Sequence, residues 1–308
     1  MRFAALRHAF RAARLIVPVL VLGLASSGAI RAEETAATIG GVAVKVLRNV
    51  AYGPAKDQRM DIYLPVRSGA QPDAQPAPVI LMVHGGAWAF GDKGIDRVVD
   101  NKVSRWLPKG LIFVSVNYPM IPDADPVEQA DDVARALAAA QGAAPGWGGD
   151  PDRFILMGHS AGAHLVSLLN ADPARATKQG ARPWLGTVSL DSGALDVPQI
   201  MNHKHAKLYD EAFGADPAFW EASSPVHHLS SGMKPWLGVC SRLRSDSCAT
   251  NTAYALKSKA LGARAEVLGE RLRHGAINEE LGKPGEYTDA VETFLASLDP
   301  RLKTLLGK

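Results

Sequence analysis

Cysteines, basic clusters and long apolar runs are all scarce in this 308-residue chain. Cys240 and Cys248 are its only cysteines, and as a metal pair they would lack their other ligands. Beyond the first 32 positions no run of Lys and Arg suggests nucleic acid or an anionic surface as a partner. The formal charge of +3 misleads, because Arg2, Arg7, Arg11, Arg14 and Arg31 all lie in those first 32. Removing these five from the 34 Lys and Arg leaves 29 against 31 Asp and Glu, a balance of −2. No apolar run approaches the roughly 20 residues that a bilayer-spanning helix needs, and there is no internal repeat. At 47% hydrophobic and 21% charged, the chain has a globular composition and the length for one large α/β domain or two small ones.

Residues 1–32 have a logic of their own. A basic start leads into the apolar run Leu15 to Leu24 and then into Ala25-Ser26-Ser27-Gly28-Ala29. This is the pattern of a secretory signal peptide, with cleavage expected after Ala29 or Ala32. An uncleaved anchor is the alternative, for which about ten apolar residues are too few. No Cys follows the run to take a lipid. Residues 33–308 are therefore expected to be a soluble, exported domain, periplasmic or secreted. In an oxidising compartment Cys240 and Cys248 are expected to pair rather than stay as free thiols. Closing so short a loop contributes roughly 2–3 kcal/mol through lost chain entropy.

Along the mature chain, Val42 to Leu47 and Met60 to Leu64 alternate like an antiparallel hairpin. Pro65 to Pro78 is rich in Pro, Gly and Ala and predicts a surface loop. Val79 to Val83, Leu111 to Val116 and Phe154 to Met157 are short apolar runs that predict buried strands; Leu185 to Leu190 and Pro235 to Val239 predict two more strands, and Ala265 to Leu268 a last short one. Val127 to Ala140, Tyr254 to Leu261 and Tyr287 to Leu298 predict helices. Strands alternating with helices mean a mostly parallel sheet covered on both faces. Residues 196–232, rich in His, Asp, Pro and aromatics, break this rhythm. They predict either a small cap-like insertion walling a pocket or an irregular crossover that touches no substrate.

The residues able to do chemistry sit where strands end. Phe154 to Met157 runs into Gly158-His159-Ser160-Ala161-Gly162, followed by the helix-like Leu165, Val166, Leu168 and Leu169. A Gly-x-Ser-x-Gly turn between strand and helix lifts a serine hydroxyl out of the sheet edge. A serine hydroxyl is a weak nucleophile and needs an imidazole base, itself oriented by a carboxylate. Of His164, His203, His205, His227, His228 and His274, the last lies just past the final strand and is the expected base. His164 is expected to pack or hydrogen-bond locally. His203, His205, His227 and His228 have no Cys or carboxylate spacing that joins them into a metal site. Asp246, between the strand ending near Val239 and His274, is the expected acid, and it falls inside the Cys240–Cys248 loop. Asp191 and Asp196 are the alternatives. Negative charge developing on a carbonyl oxygen calls for donors already in place. The backbone N–H of Ala161 and the Gly85-Gly86 loop after Val79 to Val83 are the expected ones. His84 is expected to brace that loop, Trp88 to line a pocket or pack beneath it, and Asp92 and Lys93 to tie it.

His84-Gly85-Gly86-Ala87-Trp88, Gly91-Asp92-Lys93 and Gly158-His159-Ser160-Ala161-Gly162-Ala163-His164-Leu165 together resemble the α/β-hydrolase group that includes hormone-sensitive-lipase-like carboxylesterases, feruloyl-esterase-like proteins and kynurenine formamidases. The resemblance extends roughly from Met60 to Leu298. It implies an α/β-hydrolase fold, a triad of Ser160, Asp246 and His274, and an oxyanion hole at Gly85, Gly86 and Ala161. It also implies a small-molecule ester as substrate and no cofactor. Two departures stand out. The oxyanion loop carries His-Gly-Gly-Ala-Trp in place of three glycines, and the 240–248 segment lacks the usual Gly-x-x-Asp-x-x-Val look. The expected activity is hydrolysis of small or aryl esters through an acyl-enzyme. The alternatives are an aryl-formamide hydrolase and, on the same scaffold, a binding protein without chemistry.

Overall fold

Residues 77–83 read Ala-Pro-Val-Ile-Leu-Met-Val, and all seven are buried. A strand with no polar face must be covered on both sides. In the computed structural model, which describes residues 33–66 and 75–308, this strand (β4, Ala77–Val83) lies inside a nine-stranded sheet. The other strands are β1 (Glu33–Ile39), β2 (Val42–Ala51), β3 (Arg59–Pro65), β5 (Ile112–Val116), β6 (Gly149–His159), β7 (Gly186–Leu190), β8 (Trp236–Ser241) and β9 (Ala265–Glu270). Their order across the sheet is β1-β2-β3-β5-β4-β6-β7-β8-β9. From β1 to β5 neighbours are antiparallel, and from β5 to β9 they are parallel.

The two-residue period of the strands divides the core into two layers. Val79, Leu81 and Val83 face one way, against α2 (Pro126–Ala143) and α3 (Ala161–Ala171). Ile80 and Met82 face the other, against α1 (Asp96–Trp106), α10 (Glu286–Ala296) and α11 (Pro300–Leu306). The chain is completed by α4 (Pro173–Lys178), α5 (Val197–Met201), α6 (Lys207–Phe213), α7 (Pro217–Ala222), α8 (Ser247–Ala260) and α9 (His274–Glu279). Helix α2 starts where its sequence says it should. Asp125 accepts from the N–H groups of Val127 and Glu128, Glu128 reaches back to the Asp125 N–H, and Pro126 fills the first turn.

The α/β-hydrolase arrangement with helices on both faces is thus the observed one. The hairpin expected from Val42 to Leu64 is β2–β3, and the other six expected strands appear at their places, β9 as a partly buried one. Strand β1 was not anticipated. It pairs with β2 across Gly40-Gly41, whose φ angles of 53° and 82° suit a two-residue hairpin turn. Helix α1 was also not anticipated. The signal-peptide reading of residues 1–32 and most of the Pro65 to Pro78 loop (67–74) lie outside the described residues. Among those described, no helix is long and apolar enough to cross a membrane.

Register is what matters for function. Val83 pairs with Gly158, Gly158 with Ser189, Leu190 with Val239 and Ser241 with Glu270. The carboxyl ends of β4, β6, β7, β8 and β9 therefore meet along one sheet edge, where open α/β sheets bind ligands.

Two leucines test this layering. Leu81→Ala, in fully buried β4, should lower unfolding free energy by about 2–5 kcal/mol in urea titration. Leu256→Ala, on the exposed side of α8, should change it by no more than about 0.5 kcal/mol.

Candidate active site

Ser160 sits between β6 and α3 with φ 56° and ψ −117°, a backbone conformation that costs of order 1–3 kcal/mol and persists only where the surroundings enforce it. Bare backbone supplies the enforcement. A Cβ on Gly158 would lie 2.3 Å from the Gly162 carbonyl oxygen, and one on Gly162 would lie 2.2 Å from that of Val83. One on Gly85 would come within 2.8 Å of Ser160 Cβ. The glycines of the Gly-x-Ser-x-Gly turn are there because β4, the turn and α3 touch through their main chains.

The Ser160 hydroxyl donates to His274 Nε2 at 2.9 Å, and His274 Nδ1 donates to Asp191 Oδ2 at 2.6 Å. His274 opens α9, and His159 Nε2 donates to the His274 carbonyl at 3.0 Å, with the two rings 4.6 Å apart. Burial, then the neighbouring His274, pushes the His159 imidazole down to about 3, so it stays neutral.

The carboxylate bonded to His274 is not the expected one. Asp246 precedes α8 with its side chain 60% exposed, and its carboxylate pairs with Arg244 Nη2 at 3.5 Å. Asp196 caps α5 through the Gln199 N–H at 3.2 Å. Asp191, directly after β7, is the carboxylate that reaches His274, and its side chain has no solvent exposure. Oδ1 accepts from the Ser241 N–H at 2.8 Å and from the Ser247 hydroxyl, and Oδ2 accepts from Arg244 Nη1 at 3.0 Å as well as from His274. Burial alone would raise this carboxyl's pKa. The hydrogen bonds from His274, Ser247 and Ser241 and the Arg244 charge outweigh it and hold the group below the usual carboxylate range.

The loop after β4 is anchored at many points. Gly86, Ala87 and Trp88 have φ angles of 130°, 51° and 61° in succession. The Trp88 carbonyl accepts from Gln129 Nε2 at 2.9 Å and from the Ile121 N–H at 3.0 Å. His84 Nδ1 donates to the Gly85 carbonyl at 2.8 Å, and its ring stacks on Tyr118. Asn117 receives the Lys93 N–H and donates to Asp92, while Lys93 Nζ pairs with Asp61 at 3.2 Å. Ala161 heads α3, so its N–H has no partner within the helix.

A cavity of about 280 Å3 opens beside Ser160 and His274. It is lined by Ala87, Trp88 and Ala161, by Ala194 from the segment after β7, and by Leu208 and Tyr209 of the 196–232 insertion. Residues 196–232 thus wall the cavity. They are tied to the core by His164, whose Nε2 donates to the Ser223 carbonyl at 2.7 Å while Nδ1 accepts from Trp88 Nε1 at 3.1 Å. Burial lowers the His164 pKa to about 4. Trp88 therefore both lines the cavity and packs, against His164, Tyr209 and Phe213. Among the described residues no His, Cys, Asp and Glu group has metal-binding geometry. Cys240 and Cys248 form a disulfide. The sequence reading did not single out Arg244, Ser241, Ser247, Ala87 or Tyr209. Arg244 and Ser247 were visible as the polar content of the cysteine loop and Ala87 as the residue replacing a third glycine after Gly86, whereas nothing local marks Tyr209.

The family model called BD-FAE matches residues 60–239, more than half of the chain. The chain belongs to the BD-FAE family. Esterase LipQ of Mycobacterium tuberculosis is 30% identical over 203 residues, covering 61% of this BD-FAE chain and 46% of LipQ. Kynurenine formamidase of Danio rerio is 30% identical over 159 residues, covering 51% of this chain and 49% of its own. The chain thus spans less than half the length of these curated relatives. The crystal structure of esterase B from Lactobacillus rhamnosis superposes with a TM-score of 0.68 at 17% identity, covering 85% of this chain and 87% of that one. It shares the α/β-hydrolase fold.

His164 gives a stability test. Folded, its pKa is about 4, against about 6.5 for an unfolded histidine. Between those values the unfolded chain binds a proton that the folded one refuses, so stability falls as pH drops from 6.5 to 4. The contribution is on the order of 3 kcal/mol. In His164→Gln, whose amide can still accept from Trp88 and donate to Ser223, denaturation midpoints between pH 7 and 4 should fall less steeply than in wild type.

Proposed function

We propose that this BD-FAE protein is a serine carboxylesterase acting on small or aryl esters through an acyl-enzyme. The observation that carries this reading is the continuous hydrogen-bonded line from Ser160 through His274 to Asp191 beside the cavity. His274 Nε2 takes the Ser160 proton as Oγ attacks the ester carbonyl, and the Asp191 carboxylate stabilises the imidazolium that forms. The backbone N–H groups of Ala161 and of the Gly85-Gly86-Ala87 loop donate to the oxyanion. The imidazolium then protonates the leaving alcohol, and water repeats the cycle on the acyl-enzyme.

The size and walls of the cavity support the substrate class. About 280 Å3 is at the lower end for a ligand site, and Trp88 and Tyr209 give it aromatic walls suited to a short acyl or an aryl group. A second cavity of about 660 Å3, lined among others by Gln199, His203 and His205, shares Gly193, Leu208, Tyr209 and Arg244 with the first. It offers room for the rest of the ester. Aryl-formamide hydrolysis is the second reading, favoured by the formamidase relative. In the same proposal residues 1–32 are an export signal, which would deliver the Cys240–Cys248 pair to an oxidising compartment.

Turnover of p-nitrophenyl acetate and butyrate, weak turnover of the octanoate, and complete loss in Ser160→Ala are the expected results. Methyl ferulate and N-formylkynurenine assayed in parallel decide between aryl ester and formamide. Activity unchanged in Ser160→Ala would end the proposal. Asp191→Asn should lower kcat by about 10^4-fold, while Asp246→Asn should stay within about threefold of wild type. The opposite ranking would restore Asp246 as the acid.

A further inference from the structure

Resting on the serine-hydrolase reading, we infer that the loop closed by the Cys240–Cys248 disulfide is a clamp on Asp191, with Arg244 as its positioning residue. A carboxylate has about four lone-pair sites. Here four donors fill them, and three of the four, the Ser241 N–H, Arg244 Nη1 and the Ser247 hydroxyl, lie between the two cysteines. The fourth is His274 itself. Apart from its base, these partners of the acid therefore come from one short covalently closed segment.

Arg244 has the decisive place in it. Its Nη1 and His274 Nδ1 are 3.1 Å apart and both address Asp191 Oδ2. An anion with no exposure needs a counter-charge while the imidazole is neutral, before proton transfer has made His274 a cation. Arg244 supplies that charge throughout the cycle. Its Nη1 bridges Asp191 Oδ2 at 3.0 Å and the Asp191 main-chain carbonyl at 3.4 Å, which holds the carboxylate against its own backbone and so sets the direction in which Nε2 points at Ser160. The space is kept open by Gly193, where a Cβ would lie 3.2 Å from Arg244 Nη2.

A substrate anion is the other partner that a cation at a cavity wall could serve. The local balance argues against it. Arg244 already faces two carboxylates, Asp191 at 3.0 Å and Asp246 at 3.5 Å, so a substrate carboxylate would be the third negative group around one positive one.

The test compares wild type with Arg244→Met, Arg244→Lys and the double variant Cys240→Ser/Cys248→Ser. Two readouts are used: the rate of Ser160 labelling by a fluorophosphonate, and steady-state kinetics on p-nitrophenyl acetate and p-nitrophenyl hemisuccinate. Circular dichroism confirms that each variant is folded. Arg244→Met should lower the labelling rate and kcat by about 10- to 100-fold on both esters with KM little changed, as misplacement of the catalytic line predicts. Arg244→Lys should recover part of the loss by restoring the charge. The double variant should be slowed in the same way but less. Wild-type labelling with an unchanged rate in Arg244→Met overturns the clamp and leaves the serine-hydrolase reading intact. An effect confined to KM for the hemisuccinate overturns it in favour of substrate-anion binding. No labelling of folded wild type overturns both.

Discussion

At the elbow, main chains touch with no side chain between them. Gly162 packs on the carbonyls of Val83 and His84, Gly158 on Gly162, and Gly85 on Ser160. This contact welds the end of β4, the Ser160 turn and the start of α3 into one rigid unit. The register does the rest. Because Gly158 pairs with Ser189, and Leu190 with Val239, the next two strands end level with the elbow. The residues just beyond them then have no choice but to surround Ser160. The Ser160 N–H is even bonded to the Leu190 carbonyl at 2.9 Å, one residue before Asp191. Strain in the Ser160 backbone is thus borne by the whole sheet rather than by the turn.

Two polar arrangements accompany this unit: the buried Asp191 carboxylate is matched by a cation, and the His159 and His164 imidazoles are kept neutral. Asp191 has a cation and three further donors. His159 and His164 have lowered pKa values, and each donates to a carbonyl, of His274 and Ser223 respectively. Arg244 already stands 3.1 Å from His274 Nδ1, and a further positive charge on His159, 4.6 Å away ring to ring, would add to the opposition against the imidazolium that the proposed chemistry needs, so a neutral His159 is the compatible state. His164 has a different task. By accepting from Trp88 and donating to Ser223 it ties the loop after β4 to the insertion, both of which line the cavity.

Much of this was legible in the chain. Short apolar runs bounded by turn formers located the parallel strands, because strands covered on both faces have no polar alternation to obscure them. Ser160 and His274 were legible because each has a local signature, a glycine-flanked turn and a position just past the last strand. Strand β1 escaped because Glu33, Glu34 and Thr35 begin it at an exposed sheet edge, where little apolar character is required. The insertion was recognisable as an interruption, but which of its residues reach the cavity depends on how three short helices pack. No periodicity in the sequence specifies that.

The acid was the hardest to assign, and the reason is geometric. Strands β7 and β8 are adjacent and parallel, so the residues following each lie one strand spacing apart, about 4.8 Å. A carboxylate at either end can therefore be brought near one imidazole. What separates Asp191 from Asp246 is solvation. A group that stays 60% exposed is oriented by water, whereas one with no exposure is oriented by whatever donors surround it. The informative feature of 240–248 was thus never its aspartate. It was the concentration of Ser241, Arg244 and Ser247 in a loop closed by a disulfide, a set of donors of which its one exposed acid, Asp246, engages only Arg244. Donors gathered beside one strand end point to a buried acceptor on the next, and Asp191 is the carboxylate that stands there.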